Sequence, residues 1–135
     1  MHGNLKPGKI MLGGLDKKQI KLIGFSVKQT SNGYETNTGT SPKYVAPELI
    51  DPNQFKLLEP ELFNKTYNKQ CDIWSLGVTL YFMLSGKWPF NGTVKAMIYE
   101  KIKSGKFDMP ETFSKELKDL IKKMLEIDPT KRISA

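Results

Sequence analysis

Between Asp72 and Gly86 the chain carries Ile73, Trp74, Leu76, Val78, Leu80, Tyr81, Phe82, Met83 and Leu84, with almost no polar residue left to form a wet face. A helix this apolar on all sides has to be surrounded by other elements. At this length it falls well short of the roughly 20 residues that cross a bilayer. Asp72 suits an N-cap, because its carboxylate can accept from the orphan N–H groups of a first turn. Gly86 suits a stop, because glycine takes the left-handed conformation that ends helices. The sequence predicts a central helix over 72–85, buried on most sides, which the rest of the chain must cover.

The covering elements follow from periodicity. Val94, Met97, Ile98 and Ile102 form a helical stripe that stops at Gly105, and Leu117, Leu120, Ile121, Met124 and Leu125 recur at i, i+3, i+4, i+7 and i+8. Nearer the N-terminus, residues 10–12 and 20–23 are apolar-rich and flank a polar stretch holding Gly13, Gly14 and Asp16. They read as two short strands joined by a loop. The run from Gln29 to Thr40 is nearly all Thr, Ser, Asn, Gly or charged, and reads as a loop. The expected fold class is mainly α (α+β): a helical domain with a short β-hairpin at its N-terminal end. At 135 residues this is one domain's worth of chain, and 14 aromatic side chains supply its core.

Composition excludes several function classes. One cysteine, Cys71, and one histidine, His2, can build neither an intramolecular disulfide nor a four-ligand zinc site. The net charge of +7 comes from 21 basic and 14 acidic residues that are interleaved along the chain. That pattern describes a solvated Lys-rich surface, so neither a nucleic-acid nor a membrane partner is expected. The start of the chain, Met1 to Pro7, has no apolar core of a signal peptide. A soluble, intracellular protein, cytoplasmic or nuclear, is the expectation. All but one of the basic residues are lysines, and the single arginine is Arg132.

Six blocks in the chain are similar to known motifs and occur in the known order. His2-Gly3-Asn4-Leu5-Lys6-Pro7-Gly8-Lys9-Ile10-Met11-Leu12 resembles the catalytic loop of eukaryotic protein kinases, His-Arg-Asp-Leu-Lys-Pro-Glu-Asn-Ile-Leu-Leu. Ile20-Lys21-Leu22-Ile23-Gly24-Phe25-Ser26 stands where that family has Asp-Phe-Gly. Tyr44-Val45-Ala46-Pro47-Glu48, Asp72-Ile73-Trp74-Ser75-Leu76-Gly77-Val78, Pro89-Phe90-Asn91-Gly92 and Asp128-Pro129-Thr130-Lys131-Arg132-Ile133-Ser134-Ala135 follow. In wording, the last three blocks are most similar to the calcium- and calmodulin-dependent Ser/Thr kinases. The resemblance implies that residues 1–135 are a partial protein kinase domain, the larger C-terminal lobe from the catalytic loop to before the last helix. It also implies a chain without the small lobe, whose Gly-rich loop and strand Lys clamp ATP.

Carried over position by position, the resemblance implies a damaged reaction centre. Phosphoryl transfer in kinases uses a carboxylate to orient the attacking hydroxyl, and Mg²⁺ ions held by an Asp and an Asn. Asn4 stands at the carboxylate position, and an amide cannot take up that proton at neutral pH. Lys9 replaces the metal-binding Asn and Gly24 the metal-binding Asp, although Mg²⁺ wants oxygen ligands. Lys6 matches the lysine that contacts the transferred phosphate. Asn4 and Lys6 are therefore expected to be catalytically silent, Lys9 and Gly24 to bind no nucleotide, and ATP and Mg²⁺ to be lost as cofactors. The less favoured alternative is that the Lys9 ammonium replaces the metal's charge and permits metal-free nucleotide binding.

Structural positions read differently. By resemblance, Glu48 pairs with Arg132, Asp72 accepts hydrogen bonds from the backbone near His2 and Gly3, and His2 and Phe25 belong to an internal packing column. Ser31, Thr36, Thr38, Thr40 and Ser41 lie in the segment that matches the activation loop, but the arginine that would pair with a phosphate there is Gly3. A phosphorylation switch is therefore expected to be lost. Between Glu48 and Asp72 the chain runs longer than most kinases. An exposed helix or loop is expected there, with Phe55, Leu57, Leu58, Leu62 and Phe63 packing locally rather than forming a partner-binding patch. The function expected from the residues is that of a non-enzyme, a pseudokinase fragment that binds a protein, either an active kinase or its substrate. Two alternatives stand beside it. The chain is part of a longer Ser/Thr kinase with weak ATP-dependent phosphotransferase activity, or it is a truncated product with no role of its own.

Overall fold

The computed structural model describes residues 1–30, 33–36, 41–51 and 60–135, with side chains described outside 27–40 and 52–68. In chain order its elements are β1 (Ile10–Gly13), β2 (Gln19–Leu22), β3 (Val27–Thr30), β4 (Gly33–Thr36), α1 (Pro47–Ile50), α2 (Pro60–Ser85), α3 (Lys95–Ser104) and α4 (Lys115–Met124). Two 3₁₀ turns, Pro7–Lys9 and Pro42–Tyr44, precede β1 and α1. The mainly helical architecture with an N-terminal hairpin agrees with the fold class read from the sequence.

β1 and β2 pair antiparallel from Ile10↔Leu22 to Gly13↔Gln19. β3 and β4 pair from Val27↔Thr36 to Thr30↔Gly33, largely within the stretch from Gln29 to Thr40 read as a loop. The polar composition hid that second hairpin. Val, Thr and Tyr favour strands whatever their polarity.

The central helix departs from expectation at both its start and its faces. It begins at Pro60, so Asp72 lies well inside it rather than at an N-cap. The lengthened segment before Asp72 supplies the extra turns, while Phe55, Leu57, Leu58, Leu62 and Phe63 lie outside the residues whose side chains are described. The helix ends at Ser85, where Gly86 takes φ +68 and donates to the Phe82 carbonyl. Cys71, Trp74, Val78, Thr79 and Tyr81 are buried, but Leu76, Met83 and Leu84 are exposed. The part of the surface that carries Leu76, Met83 and Leu84 is left uncovered among the described residues.

That covered face is the core. Trp74 stacks on Phe90 at 5.4 Å between ring centroids, Phe90 meets Phe107 edge-on, and Tyr81 meets Phe107 and Phe113 edge-on. The Tyr81 hydroxyl, whose ring is in the core, donates to the Asp108 carbonyl at 2.8 Å. Ile98 and Ile102 of α3, Ile121 of α4 and Leu125 just after it close the cluster, while Val94, Met97 and Leu120 of the same stripes stay exposed. At Gly77 the helices come so close that a Cβ would stand 2.9 Å from Met124 Cβ and 3.0 Å from Leu125 Cδ2. No helix among the described residues is long and apolar enough to cross a membrane.

Candidate functional site

The segment His2–Lys9 is held against the helical core by one carboxylate. The backbone N–H of His2 donates to Asp72 Oδ2 at 2.6 Å and that of Gly3 donates to Oδ1 at 2.8 Å. Two consecutive amides can face one carboxylate here because Gly3 adopts φ +75, a conformation that an arginine would take only with strain. Asp72 can reach them from mid-helix because Cys71, Trp74 and Val78, buried in the core, fix the rotation of α2.

The same segment is laced to the residues that follow β2. The His2 carbonyl accepts from Ser26 N–H at 2.9 Å, and the Lys9 carbonyl accepts from Ile23 N–H at 3.0 Å. Asn4 N–H must donate, so His2 Nδ1 accepts from it at 3.2 Å and His2 Nε2–H donates to the Ile23 carbonyl at 3.0 Å. The buried imidazole lies 4.4 Å from the Phe25 ring. His2 and Phe25, which the resemblance grouped in one packing column, are therefore in contact.

This lacing decides where the chemistry-bearing side chains go. Asn4 Oδ1 is buried and accepts no hydrogen bond, an open acceptor in a half-buried residue. Lys6 precedes the Pro7–Lys9 turn and its carbonyl accepts from Lys9 N–H at 2.8 Å. Lys9 lies directly on Gly24. A Cβ on Gly24 would stand 2.6 Å from Lys9 Nζ and 3.1 Å from its Cδ and Cε, and Gly24 itself has φ +69. Along the sequence the two substitutions stand as separate losses. The signal that they belong together is size, since a glycine opposite a long cationic side chain leaves room for it.

That geometry tests the fit of the metal that the family uses. Mg²⁺ requires oxygen ligands in near-octahedral array, but one ligand position has no side chain and the other brings an ammonium into the space. Among the described residues no group of three or more His, Cys, Asp or Glu could hold a metal. The residues present do not fit a divalent cation.

Beneath the loop the structure joins Glu48 to Arg132 across 84 residues. Arg132 Nη1 donates to Glu48 Oε1 at 2.7 Å and Nη2 to Oε2 at 2.9 Å, with both side chains fully buried. A buried charge pair is tolerated when its remaining donors are also satisfied. Here Nε donates to the Glu126 carbonyl at 2.8 Å, Nη1 to that of Gln70 at 2.8 Å and Nη2 to that of Ile127 at 3.2 Å, and the guanidinium lies 5.1 Å from the Trp74 ring. Those backbone acceptors carry no side-chain signature and were invisible in the sequence. The Ser75 hydroxyl donates to the Tyr44 carbonyl at 2.9 Å and ties the turn before Glu48 to α2. Cys71 is no nucleophile, because burial, with the charges of Asp72 and Glu48, pushes its thiol far up. Ser41 precedes the Pro42–Tyr44 turn, while the side chains of Ser31, Thr36, Thr38 and Thr40 lie outside the described residues.

The family model for the protein kinase domain matches residues 1–135. The chain is 38% identical over 144 residues to calcium-dependent protein kinase 4 of Plasmodium falciparum, covering 100% of this chain and 25% of that protein. It is 36% identical over 137 residues to the SNF1-related protein kinase catalytic subunit alpha KIN12 of Arabidopsis thaliana, covering 99% and 25%. It is 35% identical over 136 residues to a protein of Dictyostelium discoideum named a probable serine/threonine-protein kinase, covering 98% of this chain and 15% of that protein. The chain thus spans a quarter or less of these relatives. Their names correct the expectation of a non-enzyme: proteins this similar across the whole segment are called protein kinases, one of them a probable serine/threonine-protein kinase, so the step from Asn4, Lys9 and Gly24 to a protein without enzymatic activity does not stand. The loop order, the loop-to-helix clamp at Asp72, the Glu48–Arg132 pair and the match over the full length lead to one assignment: the chain belongs to the protein kinase family.

Proposed function

We propose that the chain is the substrate-side lobe of a longer Ser/Thr protein kinase, in which residues outside this stretch supply the nucleotide-clamping lobe and ATP is the phosphoryl donor. The observation that carries this reading is the loop clamp. Asp72 holds His2 and Gly3 in place, and the next residue, Asn4, carries a buried side-chain oxygen that accepts nothing from the protein. With no partner in the protein, that oxygen is free to accept the hydrogen bond of a hydroxyl, and to orient it, once the Asn4 side chain turns toward the cleft. It cannot take the proton away. Lys6, on the same loop, is the cation available to the transferred phosphate. The partner is then a protein bearing Ser or Thr, or another kinase acting in the same chain of phosphorylation, in the cytoplasm or nucleus.

This reading predicts slow transfer with a specific remedy. In the full-length protein, Asn4→Asp should raise phosphate transfer from radiolabelled ATP to a Ser/Thr peptide library by about 10²–10⁴-fold, the usual contribution of general-base catalysis. Lys6→Ala should lower it. Absence of transfer by both the native protein and Asn4→Asp overturns the proposal.

A further inference from the structure

Lys9 and Gly24 form a single device. The Ile23 N–H to Lys9 carbonyl bond fixes the two backbone segments side by side, and Gly24, next along the chain, has φ +69. The lysine side chain then runs through the space in which any side chain on residue 24 would begin, ending with Nζ 2.6 Å from that ideal Cβ position. A side chain at 24 would displace the Lys9 ammonium from its observed course. The place where the family positions its metal-binding carboxylate is therefore filled by a positive charge of the protein itself.

An ammonium offers three N–H donors and a full charge, which suits phosphate oxygens, and it repels a divalent cation. Lys6 lies on the same turn and adds a second cation. The hydrogen-bonding capacity of Asp72, the carboxylate nearest the loop in contact terms, is directed to the amides of His2 and Gly3. We infer that Lys9 takes over the role of the divalent cation, so that the phosphate end of a nucleoside triphosphate is received by the protein's own ammonium and binding needs no metal. This rests on the kinase reading above, and it concerns only which cation meets the phosphates.

The test is calorimetric titration of ATP into the full-length protein, once with Mg²⁺ and once with excess EDTA. Similar affinity in the two buffers is expected. Lys9→Met should weaken binding in EDTA by about tenfold or more, the loss expected for a charge-assisted hydrogen bond. The double variant Lys9→Asn with Gly24→Asp should make binding depend on Mg²⁺ and should broaden the paramagnetic resonance of added Mn²⁺, which the native protein leaves unchanged. An unchanged melting midpoint in Lys9→Met separates lost contact from lost fold. If the native protein binds ATP only with Mg²⁺, or if folded Lys9→Met binds as well as native, the inference fails and the kinase reading stands. If ATP binds under neither condition and no transfer is seen, both fail.

Discussion

Replacing Arg132 by Lys keeps the charge and removes the fork. A lysine cannot make two parallel bonds to Glu48 while also reaching the carbonyls of Gln70, Glu126 and Ile127. Arg132→Lys should lower stability by about 1–3 kcal/mol, the cost of leaving buried polar groups unpaired. Glu48→Ala should cost more, about 3–5 kcal/mol, because it leaves a buried guanidinium without a counter-charge. Denaturant titration of the two variants checks the order, and an unchanged midpoint in Arg132→Lys would show that the pair contributes nothing. The importance of this residue was legible in the sequence, because a single arginine among twenty lysines stood at the position the family reserves for one. The site's other half was only partly legible. Asn4, Lys9 and Gly24 could be found by motif, but their meaning depended on the space between Lys9 and Gly24, which no spacing along the chain encodes.

At the level of elements, apolar periodicity found β1, β2, α3 and α4, because each has one buried face or a turn-bounded apolar run. It failed where composition and geometry diverge. β3 and β4 are polar strands, and the start of α2 lies in a stretch whose first turns carry no sustained stripe. The expectation that α2 is buried on most sides failed for a different reason, since apolar content says how much surface wants cover and not how much receives it. The contact that most constrains this element is Gly77 against Met124 and Leu125 of the α4 end. Gly77→Val should push the helices apart and destabilise the protein by about 1–3 kcal/mol, as overpacking typically does. A melting midpoint equal to that of the native protein would show that α4 yields without cost.

Considered whole, the molecule is well covered at its helical base and bare at its hairpin end. Met11, Leu12, Leu15, Ile20, Leu22, Ile23 and Phe25 are all exposed, on both faces of the β1–β2 ribbon and just beyond it. Contiguous apolar surface of this kind marks an interaction face, and a two-stranded ribbon has little stability of its own. The isolated 135-residue chain should therefore bind a hydrophobic fluorescent dye and self-associate in sedimentation velocity, and Leu12→Lys with Ile20→Lys should reduce both. A monomer that ignores the dye would contradict this. The two ties beneath the loop also have a consequence for biosynthesis. His2 waits for Asp72, and Glu48 waits for Arg132, 84 residues further on. On the ribosome each anchor follows the residue it holds by most of this stretch, so neither tie can close until nearly all of it has left the exit tunnel.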